Sequence, residues 1–121
     1  MNTLILCIYG RAGYECLNYL LLKEFFNYTE IIIFTHKKNN DLLLDFIQNM
    51  NLNFHTTSIN NCENILNGKK GLLLSIHYRN IIKEHIISCF DGMKINLHPS
   101  LLPYYKGCFS SVWALINNEK E

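Results

Sequence analysis

Asn96 and His98 stand two residues apart in the stretch KINLHPSLLPYYKG, residues 94–107. In an extended strand, positions two apart project from the same face, so the amide and the imidazole lie side by side with Leu97 opposite. An amide N–H₂ can donate to an oxygen that is becoming negative, a contact often worth about 3 to 4 kcal/mol in catalysis. An imidazole gains or loses a proton near neutral pH. Pro99 and Pro103 fix φ and bias the residues before them to extended shapes, which stiffens the chain just beyond the pair. A histidine alone more often has a structural role. Asparagine, histidine and a turn braced by two prolines together point to a site of chemistry.

A second polar group lies upstream in SIHYRNII, residues 75–82. Ser75 and His77 alternate with Ile76 and Tyr78 where a buried strand gives way to a loop, and buried polar groups there must find partners. A pocket wall built from Tyr78, Arg79 and the following backbone is one reading; capping of the next helix is the other, and the residues alone leave both open.

Three further features favour plainer readings. GRAG, residues 10–13, could offer backbone N–H groups to a phosphate, but it lacks the full G-x-G-x-x-G spacing and fits a tight strand-to-helix turn better. FTHKKNN, residues 34–40, could meet an anion but fits a solvated loop, because charge runs usually face water. The cysteines (Cys7, Cys16, Cys62, Cys89, Cys108) are an odd set of five with no C-x-x-C pair. Several sit inside apolar runs, where a thiol behaves as a small hydrophobe, which favours a reducing, cytosolic setting over a disulfide framework. No pair has close metal-ligand spacing, and Cys108 has no evident base beside it as a nucleophile.

The elements that must position these residues follow from the apolar runs. TLILCIY (3–9), EIIIFTH (30–36) and GLLLSIH (71–77) are near-continuous and suit strands covered on both faces. NLNFHT (51–56) and MKINLH (93–98) are weaker strand candidates. Helical patterns fill 13–27, 39–50 with Asn and Asp at its N-cap, 60–67, 80–89 and 108–117. Alternating strands and helices predict an α/β fold with a doubly wound, mainly parallel sheet, in which ligands bind at the carboxyl ends of the strands. The 121 residues suffice for one domain. With 49% hydrophobic and 17% charged residues and a formal charge of +1, the composition is that of a folded protein, with no basic stripe for nucleic acid and no apolar run that would span a membrane.

NLHPSLLPYYKG resembles the signature of the formyltransferases that use 10-formyltetrahydrofolate, a group acting on glycinamide ribonucleotide, methionyl-tRNA and nucleotide-linked amino sugars. LLSIHYRNIIKEHII resembles the segment that precedes that signature, and IIIFTHKKNN resembles the second strand of enzymes that formylate 4-amino-arabinose on a nucleotide. The resemblance implies a Rossmann-like formyltransferase fold. It also implies that Asn96 and His98 are two of three catalytic residues, stabilising the oxyanion formed when an amine attacks the formyl carbon, with His98 also moving protons. Tyr78, Arg79, Asn80, Ile81 and Ile82, with Ile87 behind them, match the family's pterin-holding segment.

The family's third catalytic residue is an aspartate in a later segment, and none of Asp41, Asp45 or Asp91 is placed to replace it. The expectation is an incomplete N-terminal catalytic domain over 1–121, with little or no transferase activity by itself. GCFSSVWALINNE looks most like the nucleotide-sugar enzymes of surface-polysaccharide synthesis, so the expected partners are folate and a nucleotide sugar, with a homodimer also open. Another folate-dependent formyltransferase, a formyltetrahydrofolate hydrolase or a non-catalytic folate- or nucleotide-binding remnant are the alternatives.

Overall fold

The computed structural model describes residues 2–23, 28–38 and 41–97. Strand β1 (Asn2–Ile8) leads directly into helix α1 (Gly10–Lys23), and β2 (Glu30–Phe34) is followed by α2 (Leu42–Asn49) and the short β3 (Asn53–His55). A 3₁₀ turn (Ile59–Asn61) and a one-turn helix α3 (Glu63–Leu66) then precede β4 (Lys70–Ile76), α4 (Glu84–Cys89) and β5 (Asp91–Leu97). All four strand pairings are parallel, in the order β3-β2-β1-β4-β5.

Period-2 alternation within the strands divides the core into two layers. Leu4, Leu6 and Ile8 of β1, with Ile33, Leu74, Ile76, Ile95 and Leu97, meet Cys16, Leu17 and Leu20 of α1 and Leu43 and Ile47 of α2. From the other face, Ile5, Cys7, Ile32, Phe34 and Leu73 meet Ile59, Cys62 and Leu66 of the β3–β4 crossover and Ile86 and Phe90 of the α4 region. Burial on both faces accounts for the unbroken apolar runs of β1, β2 and β4. The doubly wound parallel α/β sheet expected from the sequence is the observed one.

Several boundaries differ for local reasons. The α1 helix begins at Gly10, three residues before the expected start, because Gly10 takes φ +71° and turns the chain immediately after Tyr9. GRAG is therefore the first turn of α1 rather than a separate loop, and Gly13 lets that turn sit on β1: a Cβ there would lie 2.9 Å from Cβ of Ile8. The expected helix 60–67 is broken at Cys62 into the 3₁₀ turn and α3. The expected helix 80–89 starts only at Glu84, leaving the segment before it irregular. Asp41 caps α2 as its position suggested, its Oδ1 accepting the Leu43 N–H at 3.0 Å. The expected helix 108–117, together with His98, Pro99, Pro103 and Cys108, lies outside the described residues.

Candidate functional site

The strand order reverses between β1 and β4, whose following helices pack on opposite faces, and such a switch point is where doubly wound sheets take ligands. Beyond the strand ends, the Tyr9 N–H donates to the Ile76 carbonyl at 3.2 Å, and Ile8 pairs with His77 in an isolated antiparallel bridge. His77 has φ +60°, the left-handed conformation that non-glycine residues hold only when their surroundings require it. This reversal swings Tyr78 and its successors away from β4.

The displaced segment forms one wall of a cleft of about 340 Å³, lined by Leu73, Ser75, Tyr78, Arg79, Asn80, Ile81, Ile82, Ile87, Lys94, Ile95 and Asn96. That volume suits a small organic ligand, and the lining combines aliphatic side chains with a few polar ones. Every residue expected to hold a pterin, from Tyr78 to Ile82 and Ile87, borders this cleft. So does Asn96, the described member of the expected catalytic pair; His98 falls beyond the described residues. Asn96 sits opposite Ser75 across the β4–β5 ladder, on the exposed side of a strand whose Ile95 and Leu97 are buried in the other layer. Strand alternation thus separates the polar face from the packed one over 94–97, as the sequence pattern suggested for the described part of that stretch.

The wall is held by side chains distant in sequence. The Tyr78 hydroxyl accepts the Ile59 N–H at 3.0 Å, and burial pushes its pKa up despite that bond. Asn60 grips both sides of the next turn: its Nδ2 donates to the Ile81 carbonyl at 2.8 Å and its Oδ1 accepts the Lys83 N–H at 2.9 Å. The Arg79 N–H donates to Nε2 of His36 at 3.0 Å. The His36 ring stacks on Tyr78 at 4.7 Å and meets Tyr9 edge-on at 5.1 Å. Burial, then the nearby Arg79 guanidinium, pull the His36 pKa below its ordinary value. Helix α4 takes no side-chain cap, since Lys83 fills the N-cap position without one. Between the two sequence readings of 75–82, the segment is a pocket wall.

Sequence reasoning missed His36, Asn60 and Lys94. The described residues 35–38 are irregular, as expected for the loop, but His36 among them is packed rather than solvated. The only prior signal for Asn60 was its polarity ahead of an apolar run, and nothing local showed which turn it would hold. Lys94 brings a cation to the cleft from the β5 face shared with Asn96. Asp41, Asp45 and Asp91 do not line the cleft; the first two belong to the α2 cap and first turn, and Asp91 opens β5 at the end remote from Asn96. Cys7, Cys62 and Cys89 carry free thiols whose pKa burial raises, so none of them is an activated nucleophile.

A second cleft, of about 310 Å³, opens on the layer that carries α1 and α2. Gly10, Arg11, Tyr14 and Glu15 of α1 face Lys38, Asp41, Leu42 and Leu43 across it. Arg11 is engaged by Glu15 at 3.2 Å, so the rim carries charges of both signs. Among the described residues no helix is long and apolar enough to cross a membrane.

A family model described as formyl transferase matches residues 35–121. The GDP-perosamine N-formyltransferases of Brucella melitensis biotype 1 and Brucella abortus are each 33% identical over 97 residues, covering 76% of this chain. The chain spans 38% of the length of those relatives. The bifunctional polymyxin resistance protein ArnA of Wigglesworthia glossinidia brevipalpis is 44% identical over 52 residues, 43% of this chain and 8% of that protein.

Proposed function

The chain belongs to the formyl transferase family, and from that premise we propose that its 340 Å³ cleft takes 10-formyltetrahydrofolate and that the acceptor is the amine of a nucleotide-linked amino sugar. The observation that carries the reading is the meeting of Tyr78–Ile82, Ile87 and Asn96 around one cleft. The acceptor class is supported by the names of the two Brucella relatives, GDP-perosamine N-formyltransferases. Such a reaction belongs in the cytoplasm and serves the synthesis of surface polysaccharide.

The lining fits a pterin. Leu73, Ile82 and Ile87 offer apolar surface for a flat ring. Among the described residues, the main-chain groups of Asn80 and Ile82 make no hydrogen bond, which leaves them for the ring's amide-like edge. Tyr78, Arg79, Asn80, Ile81, Ile82 and Ile87 would hold the folate, which supplies an activated formyl carbon when bound. Asn96 contributes an amide donor at the same cleft, able to stabilise oxygen charge that develops as an amine attacks. His98, two residues further on, is the proposed proton-handling group.

The test is a calorimetric titration with 5-formyltetrahydrofolate, a stable analogue of the donor, on a chain shown to be folded by circular dichroism. Saturable binding that weakens on substitution within residues 78–82 supports the folate cleft; a folded chain that binds none overturns it. Mass-spectrometric detection of an N-formylated nucleotide sugar then tests the acceptor. Formate release that needs no acceptor would point instead to hydrolysis.

A further inference from the structure

We propose that neutral His36 is a positioning residue for this cleft, fixing its Tyr78–Arg79 wall by accepting the Arg79 main-chain N–H while its ring lies against Tyr78. The inference rests on the reading of the cleft as the formyl-donor site. Its geometry does not: the hydrogen bond is 3.0 Å, the ring stack is 4.7 Å with 24° between planes, and the edge contact with Tyr9 is 5.1 Å. Three exits from the sheet therefore meet at one imidazole, those of β1 through Tyr9, β2 through His36 itself and β4 through Tyr78 and Arg79. The wall needs such a tether because it follows His77, whose backbone is held at φ +60°.

To accept from Arg79, Nε2 must be without a proton, so the neutral ring carries its proton on Nδ1. A protonated imidazole has two donors and no acceptor, and the Arg79 N–H would lose its partner. The charged and titratable groups around the ring oppose that protonation. Lys38 lies 5.8 Å and the Arg79 guanidinium 5.6 Å from the Tyr9 ring that His36 touches. Among the described residues no carboxylate bonds to His36. Burial and the Arg79 charge accordingly lower its pKa from 6.5, keeping the tether intact at neutral pH and releasing it only on acidification.

The experiment follows the His36 ring and the Arg79 amide of the folded chain by ¹⁵N–¹H and ¹³C–¹H correlation through an acid titration, with no ligand present. The expected result is one shared midpoint below 6.5 and a change in the Arg79 amide that marks loss of its hydrogen bond. An Arg79 amide indifferent to His36 protonation would overturn the proposal, and this readout needs no variant. Affinity for 5-formyltetrahydrofolate is then compared on either side of the midpoint. Wild type should weaken roughly three- to tenfold on acidification, the worth of one net hydrogen bond. His36→Gln, which can accept but not titrate, should lack that change and so reports the ligand's own pH response; His36→Phe, which stacks but cannot accept, should be weakened on both sides. Equal affinities of wild type and His36→Phe at neutral pH would also overturn the proposal. If wild type binds no folate, the donor-site reading fails, while the ligand-free titration still decides whether His36 holds the wall.

Discussion

Asn60 and Ile81 lie 21 residues apart in the chain, yet the Asn60 amide donates to the Ile81 carbonyl at 2.8 Å while its oxygen accepts from Lys83. One side chain thus spans the turn that bounds the cleft and does for that turn what a helix or strand would otherwise do. It also leaves Ile81, 86% exposed, presented at the lip. An apolar side chain held out beside a cleft is a reasonable surface for a ligand to cover.

Replacing Asn60 with Ala removes both bonds. Each is exposed, and a net value of about 0.5 to 1 kcal/mol apiece gives an expected loss of about 1 to 2 kcal/mol in urea unfolding. The local effect should exceed the global one: the Lys83 amide should exchange faster while amides of β1 keep their protection. A uniform change across the sheet would contradict the assigned role.

Tyr78→Phe separates the ring from its hydroxyl. The stack on His36 survives, but the Ile59 N–H loses its acceptor in a part-buried position. Thermal unfolding should show a loss of about 1 to 2 kcal/mol, the cost of an unpaired donor. Binding of 5-formyltetrahydrofolate should weaken only a few-fold, because the cleft face of the ring is unchanged.

Asn96→Ala should leave both stability and folate affinity nearly unchanged, since Asn96 is exposed and, among the described residues, its side chain makes no hydrogen bond while its backbone stays in the β4–β5 ladder. Its expected effect is on formyl transfer, where loss of an oxyanion donor costs roughly a hundredfold or more in kcat. Rapid-quench mass spectrometry of the N-formyl product reads this directly, and an unaltered rate would remove Asn96 from the chemistry.

At the opposite end of the sheet, Lys69 Nζ meets Glu30 Oε1 at 2.7 Å, and the Thr3 hydroxyl donates to the same oxygen at 3.3 Å. The lysine bond, more than the charge itself, lowers the Glu30 pKa from 4.5. A carboxylate with a depressed folded pKa contributes stability that is present above its unfolded value and lost as pH falls through the folded one. Lys69→Met should therefore flatten the stability curve below about pH 4.5 and cost at most about 1 kcal/mol at neutral pH, given solvent screening. Denaturant titrations at a series of pH values check the slope.

The sheet was legible because its strands are buried on both faces, which writes Leu and Ile into unbroken runs such as LILCI and LLLSI. The α2 start was legible from Asp41, whose capping contact lies two residues away in the chain. The start of α4 was not. Residues 79–83 have a composition compatible with helix, and they are held out of one by His36 and Asn60, partners that no local pattern reveals. His36 reads as a solvated loop residue for the same reason. Alternation in 94–97 showed which face Asn96 takes, while a pocket wall at Tyr78 and Arg79 was one of two readings open from the residues, and the rest of the cleft lining gathered only in three dimensions.

The tethers of the cleft wall have a consequence for how the molecule assembles. They join residues 43 apart (Arg79 to His36), 19 apart (Ile59 to Tyr78) and 23 apart (Lys83 to Asn60), so none can form as a local nucleus. Contacts of such separation are entropically delayed until the strands that carry them have docked. Ligand capture should therefore be the last property acquired during refolding, lagging the appearance of the sheet.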